Sequence, residues 1–169
     1  MGEPAITGYA ISWNQPAVIA GSWEERFARG AFDVHLQEKP DVVALWAHDV
    51  SRPLARVSNG TLKLRSDLAG LWYSITPNPD SPLGQEAVAM VGTDTVNEVS
   101  VGFSSEIEEW EDTDSLPRRL ITQARLIEVS IVLFGAFGKN TSAGIRSANN
   151  SQAAKRRIEA AQRRRGILR

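Results

Sequence analysis

The chain alternates apolar and polar residues in short runs broken by turn residues, the pattern of a sheet-rich protein. "AITGYAISW" opens as a loosely alternating strand, and "DVVALWA" is a compact apolar run before His48 that reads as a buried strand. "RVSNGTLKLRSDLAGLWYSITP" predicts a meander, with Asn59-Gly60 as a hairpin turn and Asp67 to Gly70 as a second turn. Two helices interrupt the strands. One is short and lies within "SWEERFARGAFDVHLQEKPD", where Phe27, Phe32 and Leu36 punctuate a polar, mixed-charge stretch that Pro40 closes. The other is "DSPLGQEAVAMVG", with Ser81 as N-cap, Pro82 at the first helical position, Leu83, Ala87 and Met90 on one face, and Gly92 at its end.

Two further strands carry the polar residues of interest. In "NEVSVGFSSE", Val99, Val101 and Phe103 share one face, and Glu98, Ser100, Gly102 and Ser104 share the other. A glycine inside such a strand leaves open space beside the serine. After an acidic loop around "EEWEDTDSLP" comes "RLITQARLIEVSIVLFGAF". There Ile127, Val129, Ile131 and Leu133 lie on one face, and Leu126, Glu128, Ser130, Val132 and Phe134 on the other. Glu128 is thus a carboxylate within an apolar strand, where an unpaired charge is costly and a partner is required.

Composition narrows the chemistry. The 169 residues are 42% hydrophobic and 23% charged, which suits one globular domain. There is no cysteine, which removes disulfides, thiolate nucleophiles and cysteine-ligated metals, and the two histidines, His35 and His48, leave little for a histidine metal site. No metal or cofactor is expected. The first ten residues, "MGEPAITGYA", have neither the basic nor the apolar region of a secretory signal, and no apolar run is long enough to cross a membrane. The formal charge of −1 hides an asymmetry: residues 147–169 hold seven Lys and Arg against Glu159, a net of +6, leaving −7 on residues 1–146. Residues 1–146 are read as the folded domain, and 147–169 as a basic tail, partly helical or disordered. With no aromatic residue among the tail arginines, nucleic acid is not favoured as a partner.

Three side chains offer a nucleophile, a base and a base-orienting acid. Ser100 has the open face beside Gly102, and the competing reading is the solvated face of an edge strand. His48 follows a buried strand, where an imidazole is able to shuttle a proton near neutral pH, or else is a histidine satisfied by a local hydrogen bond. His35 is read as a surface or boundary residue. Glu128 takes either an imidazolium or a structural arginine such as Arg125 as its partner.

The blocks "ERFARGAFD", "LWAHDVSRPLARVSNGTLKL", "DLAGLWYSITP", "EVSVGFSS" and "LIEVSIVLFGAF" together resemble the HK97-type prohead maturation serine proteases of tailed bacteriophages, over residues 5–146. The resemblance implies an α+β fold like the herpesvirus assemblin protease, a mostly antiparallel β-barrel with a few surrounding helices. It implies a catalytic triad of His48, Ser100 and Glu128, with Gly102 and Phe103 as substrate-site candidates. It further implies an endopeptidase inside the procapsid, in the host cytoplasm. Its substrates would be the scaffolding segment of the major capsid protein, other internal proteins and the protease itself. Homo-oligomerisation is left open, and the alternative is a catalytically silent assembly protein of the same fold. The chain departs from the family pattern twice: Glu98-Val99 stands where a Gly-Met pair is common, and Gly135 stands where a proline is common.

Overall fold

In a computed structural model, which describes residues 3–146, the chain folds into ten strands, two α-helices and one 3-10 turn. The strands form two sheets. The first is four-stranded and antiparallel throughout, in the order β10 (Gly144–Arg146), β1 (Ala5–Ser12), β7 (Gly70–Ile75), β6 (Leu62–Ser66). The second contains β2 (Ala17–Ile19), β3 (Trp23–Phe27), β4 (Val43–Trp46), β5 (Asp49–Arg56), β8 (Glu98–Glu111) and β9 (Arg118–Val132). The mostly β, α+β character agrees with the sequence reading. The barrel of that reading is not formed by hydrogen bonding: the strands divide between two sheets, and neither closes on itself.

β9 organises the second sheet. The long strand β8 runs antiparallel along one side of it, from Glu98 opposite Val132 to Glu111 opposite Arg118. On its other side β3 and β4 follow one another, both parallel to β9, with Phe27 opposite Ile121 and Leu45 opposite Ser130. One apolar core draws on both sheets, joining Ile6, Ile11, Leu71, Tyr73 and Ile75 of the first to Phe27, Val99, Ile121, Val129 and Ile131 of the second. Phe27 is fully buried at its centre, its ring against those of Phe32, Phe103 and Phe137. The segment from Gly138 to Arg146 then straps the sheets together. Ser142 N–H donates to the Tyr9 carbonyl, Tyr73 Oη donates to the Ser142 carbonyl, and Thr141 Oγ1 accepts from Val99 N–H.

Four local expectations are changed by tertiary contacts. The short helix is present as α1 (Asp33–Gln37), but the preceding "WEERF" is the strand β3. Its inward position holds Glu25, 4% exposed and paired with Arg119 at 2.9 Å, so a buried ion pair hid the alternation. Asn59-Gly60 makes a tight turn with Gly60 at φ +76°, but it is no hairpin, because β5 pairs with β4 and the turn carries the chain across to the other sheet. Helix α2 (Pro82–Gly92) begins at Ser81, whose side chain makes no capping hydrogen bond. Its buried face is Gly84, Ala87 and Val91, with Met90 exposed, because Gly84 lies against the carbonyl of Asn78.

The fourth change concerns His35, which is buried rather than at the surface. Its Nδ1 accepts a 2.9 Å hydrogen bond from the backbone N–H of Leu126, fastening α1 to β9. Only a neutral ring accepts there, and burial, with Arg125 adding to it, holds the His35 pKa below its ordinary value, against smaller opposing effects of Glu38 and Glu106. The unfolded chain therefore binds a proton on this residue more readily than the folded one, so stability falls as pH drops through about 6.5 towards the lower folded value. Denaturant titrations at pH 8 and pH 5 should show wild type losing more stability on acidification than His35→Gln, which keeps an acceptor without a titrating group.

Candidate active site

The site is built where β4, β9 and β8 lie side by side. β4 ends at Trp46, which faces Asp49 across a two-residue turn, so Ala47 and His48 are the central residues of a β-hairpin. Both have left-handed backbones, with φ of 53° and 60°. That geometry matches the twist of paired strands but suits Asn-Gly rather than two residues with ordinary side chains, which pay roughly 1–2 kcal/mol each for it. The turn is tied to β9 by two amides: Ala47 N–H donates to the Ile131 carbonyl at 2.9 Å, and His48 N–H donates to Ser130 Oγ at 3.0 Å.

Glu128 reaches the same place from the strand itself. Its residue is 8% exposed. Oε1 lies 2.6 Å from His48 Nδ1, and Oε2 accepts a 2.5 Å hydrogen bond from Ser130 Oγ. The partner of this buried carboxylate is thus the imidazole. Arg125, the alternative, instead pairs with Glu38 at 2.7 Å and Glu106 at 3.5 Å.

Local irregularity in β9 sets the direction of that carboxylate. Gly102 is opposite Glu128 and Phe103 is opposite Leu126, so Ile127 is an extra residue in the ladder and stands 57% exposed. The bulge reverses the alternation expected from sequence: Leu126 turns into the core, while Glu128, Ser130 and Val132 share the other face. Gly102 supplies the room. A Cβ there would stand 2.6 Å from Glu128 Oε1 and 2.9 Å from its Cγ. The open space beside Ser100 is therefore occupied by the Glu128 carboxylate.

Ser100 sits on this face, two ladder positions from Gly102 and directly opposite Ser130. It is partly exposed, whereas Ser130 is fully buried. No hydrogen bond joins Ser100 to His48 among the described residues; with Nδ1 engaged by Glu128, Nε2 is the ring nitrogen left to meet it. The His48 side chain is 47% exposed, so a substrate has access to the ring. Phe103 is not brought to this group: its ring packs edge-on against Phe27, centroids 4.9 Å apart, on the core face of β8.

Ser130 is the site residue that the sequence reading missed. A signal was available, since it is the second polar residue in the apolar stretch from Leu126 to Phe134, two positions from Glu128 and hence on the same face. The two departures from the family pattern also meet in space, because Gly135 N–H donates to Glu98 Oε2 at 2.7 Å. A proline at 135 has no N–H to give, so the carboxylate at 98 and the free amide at 135 belong together. The basic tail lies outside the described residues.

Replacing Gly102 by alanine tests the geometry. The nearest obstruction is the end of a flexible side chain, so the fold should persist while the carboxylate is displaced. The expected outcome is a folded protein, by its amide spectrum, that has lost the downfield proton resonance of the His48 Nδ1 to Glu128 hydrogen bond. An unchanged resonance would show that the space at Gly102 is not required.

An acid–base pair of this kind, beside a strand serine, is the equipment of a serine hydrolase, and comparison with known families bears on which. Comparison with curated proteins gives no match. The sequence profile of the family described as caudovirus prohead serine protease matches residues 1–156, which include His48, Ser100 and Glu128 and all of the described fold. The chain belongs to the caudovirus prohead serine protease family.

Proposed function

We propose that this protein is an active prohead maturation endopeptidase with Ser100 as nucleophile, His48 as general base and Glu128 as the residue that orients the base. The observation that carries this reading is the 2.6 Å contact between His48 Nδ1 and Glu128 Oε1, on the strand face that presents Ser100. In the proposed reaction Ser100 Oγ attacks the scissile carbonyl while Nε2 of His48 takes its proton. The imidazolium so formed is steadied by the Glu128 carboxylate. His48 then delivers the proton to the leaving amine, and water repeats the sequence to release the acyl group. Proton transfer by a positioned base contributes on the order of 10²–10⁴-fold.

The substrates in this reading are the scaffolding segment of the major capsid protein, other internal procapsid proteins and the protease itself. Acting inside the procapsid, the enzyme meets them at the high local concentration that confinement imposes, so tight substrate binding is not needed. The absence of a Ser100–His48 hydrogen bond is the one feature that favours the second reading, a silent assembly protein. Labelling of Ser100 by a fluorophosphonate separates the two, because only an activated serine reacts.

Co-expression with the cognate capsid protein and intact-mass analysis tests the assignment. Ser100→Ala should abolish cleavage with the fold intact, and cleavage that persists would refute it. Glu128→Gln, which cannot stabilise the imidazolium, should lower kcat by about 10⁴-fold, as loss of the orienting acid does in other triads.

A further inference from the structure

We propose that Ser130 is a positioning residue of this site: its buried hydroxyl sets which nitrogen of His48 carries the proton and holds the backbone that carries the ring. The inference rests on reading His48 as the base. It follows from counting protons around one oxygen. The His48 backbone N–H can only donate, so in their 3.0 Å contact Ser130 Oγ is the acceptor. The single hydroxyl hydrogen is then free for the other neighbour, Glu128 Oε2 at 2.5 Å. Oε2 consequently accepts and carries no proton of its own.

The consequence passes through the carboxylate. With Oε2 receiving the serine hydrogen, Oε1 is the oxygen facing the ring, and its 2.6 Å contact with Nδ1 is completed by a proton on Nδ1. The neutral imidazole is thereby held as the Nδ1–H tautomer, with the Nε2 lone pair directed away from Glu128 and available to Ser100. In the other tautomer Nε2 carries a hydrogen and has no basicity to offer. Ser130 also secures the left-handed backbone at His48, φ 60°, by accepting its amide in a hairpin 82 residues away in sequence.

Ser130 does this without being a second nucleophile. It is 0% exposed, lies between β8 and β4, and has Ser100 opposite it and Leu45 on its other side. No substrate carbonyl has access to its oxygen, and its single hydrogen and one acceptor lone pair are already used within the site.

The test uses the full chain labelled with 15N, whose two histidines are readily told apart by the His35→Gln variant. Long-range ring correlations of the neutral His48 imidazole should show one tautomer in wild type, protonated at Nδ1. In Ser130→Ala the second tautomer should become populated, and kcat should fall on the order of 10²-fold, the cost of a misplaced catalytic group, with KM within about twofold. Ser130→Thr, which keeps a hydroxyl on a strand-compatible backbone, should restore the single tautomer and most of kcat. If Ser130→Ala does not fold, Ser130→Cys, of similar volume but weak in hydrogen bonding, takes its place. A wild-type ring protonated at Nε2, or a variant lacking the hydroxyl with an unaltered tautomer and kcat within about twofold of wild type, would overturn the proposal. Because the tautomer is read without turnover, this failure is distinct from failure of the protease reading, which Ser100→Ala decides.

Discussion

A carboxylate placed inside a sheet must have every lone pair it exposes to the interior satisfied, or its burial costs more than the strand gains from packing. Glu128 is that carboxylate, and the architecture of the site follows from its needs. The imidazole of His48 meets one oxygen and the hydroxyl of Ser130 the other. Gly102 leaves the volume the carboxylate occupies, and the extra residue Ile127 turns Glu128 away from the core while keeping Leu126 within it. The same arrangement that makes the charge tolerable also engages Nδ1 of His48 and leaves Nε2 as the ring nitrogen not held by Glu128. Stability and chemistry are here satisfied by one set of contacts.

Topology explains why so few residues suffice. The three strands β4, β9 and β8 are neighbours, so their ladder fixes the spacing of the site without help from long loops, and side chains on paired strands are held more closely than side chains on mobile segments. The one irregular contributor is the Ala47-His48 turn, and it is fastened at both amides to β9. At the site's own end of β8, Val99, the residue before Ser100, is held by Thr141 of the strap that also grips β1, so the serine strand is anchored to both sheets. Membership of the prohead protease family links the chain to capsid maturation.

Much of this was legible in the chain before any coordinates. The alternation around Val99, Val101 and Phe103 identified a strand with Ser100 on its polar face, Pro82 and Gly92 bounded a helix, and an acidic residue in "LIEVSIV" demanded a partner. Other features were hidden for identifiable reasons. β3 was masked by Glu25, a charge on its inward face whose partner Arg119 is 94 residues away. Asn59-Gly60 has the chemistry of a hairpin turn, yet local chemistry specifies a bend and not which strands it joins. His35 looked like a helix surface residue because its acceptor role depends on an amide of β9.

The amino-acid order by itself determined the main extended segments other than β3, the places where the chain turns, and that a hydroxyl, an imidazole and a carboxylate stand at positions 100, 48 and 128, since these depend on periods of two or a few residues. The tertiary structure decided that the hole at Gly102 receives a carboxylate, that Ile127 bulges, that Phe103 belongs to the core and that Ser130 joins the site. Those outcomes depend on the register between strands distant in the chain. A shift of one residue in that register exchanges the faces of a strand, and no short-range pattern records it.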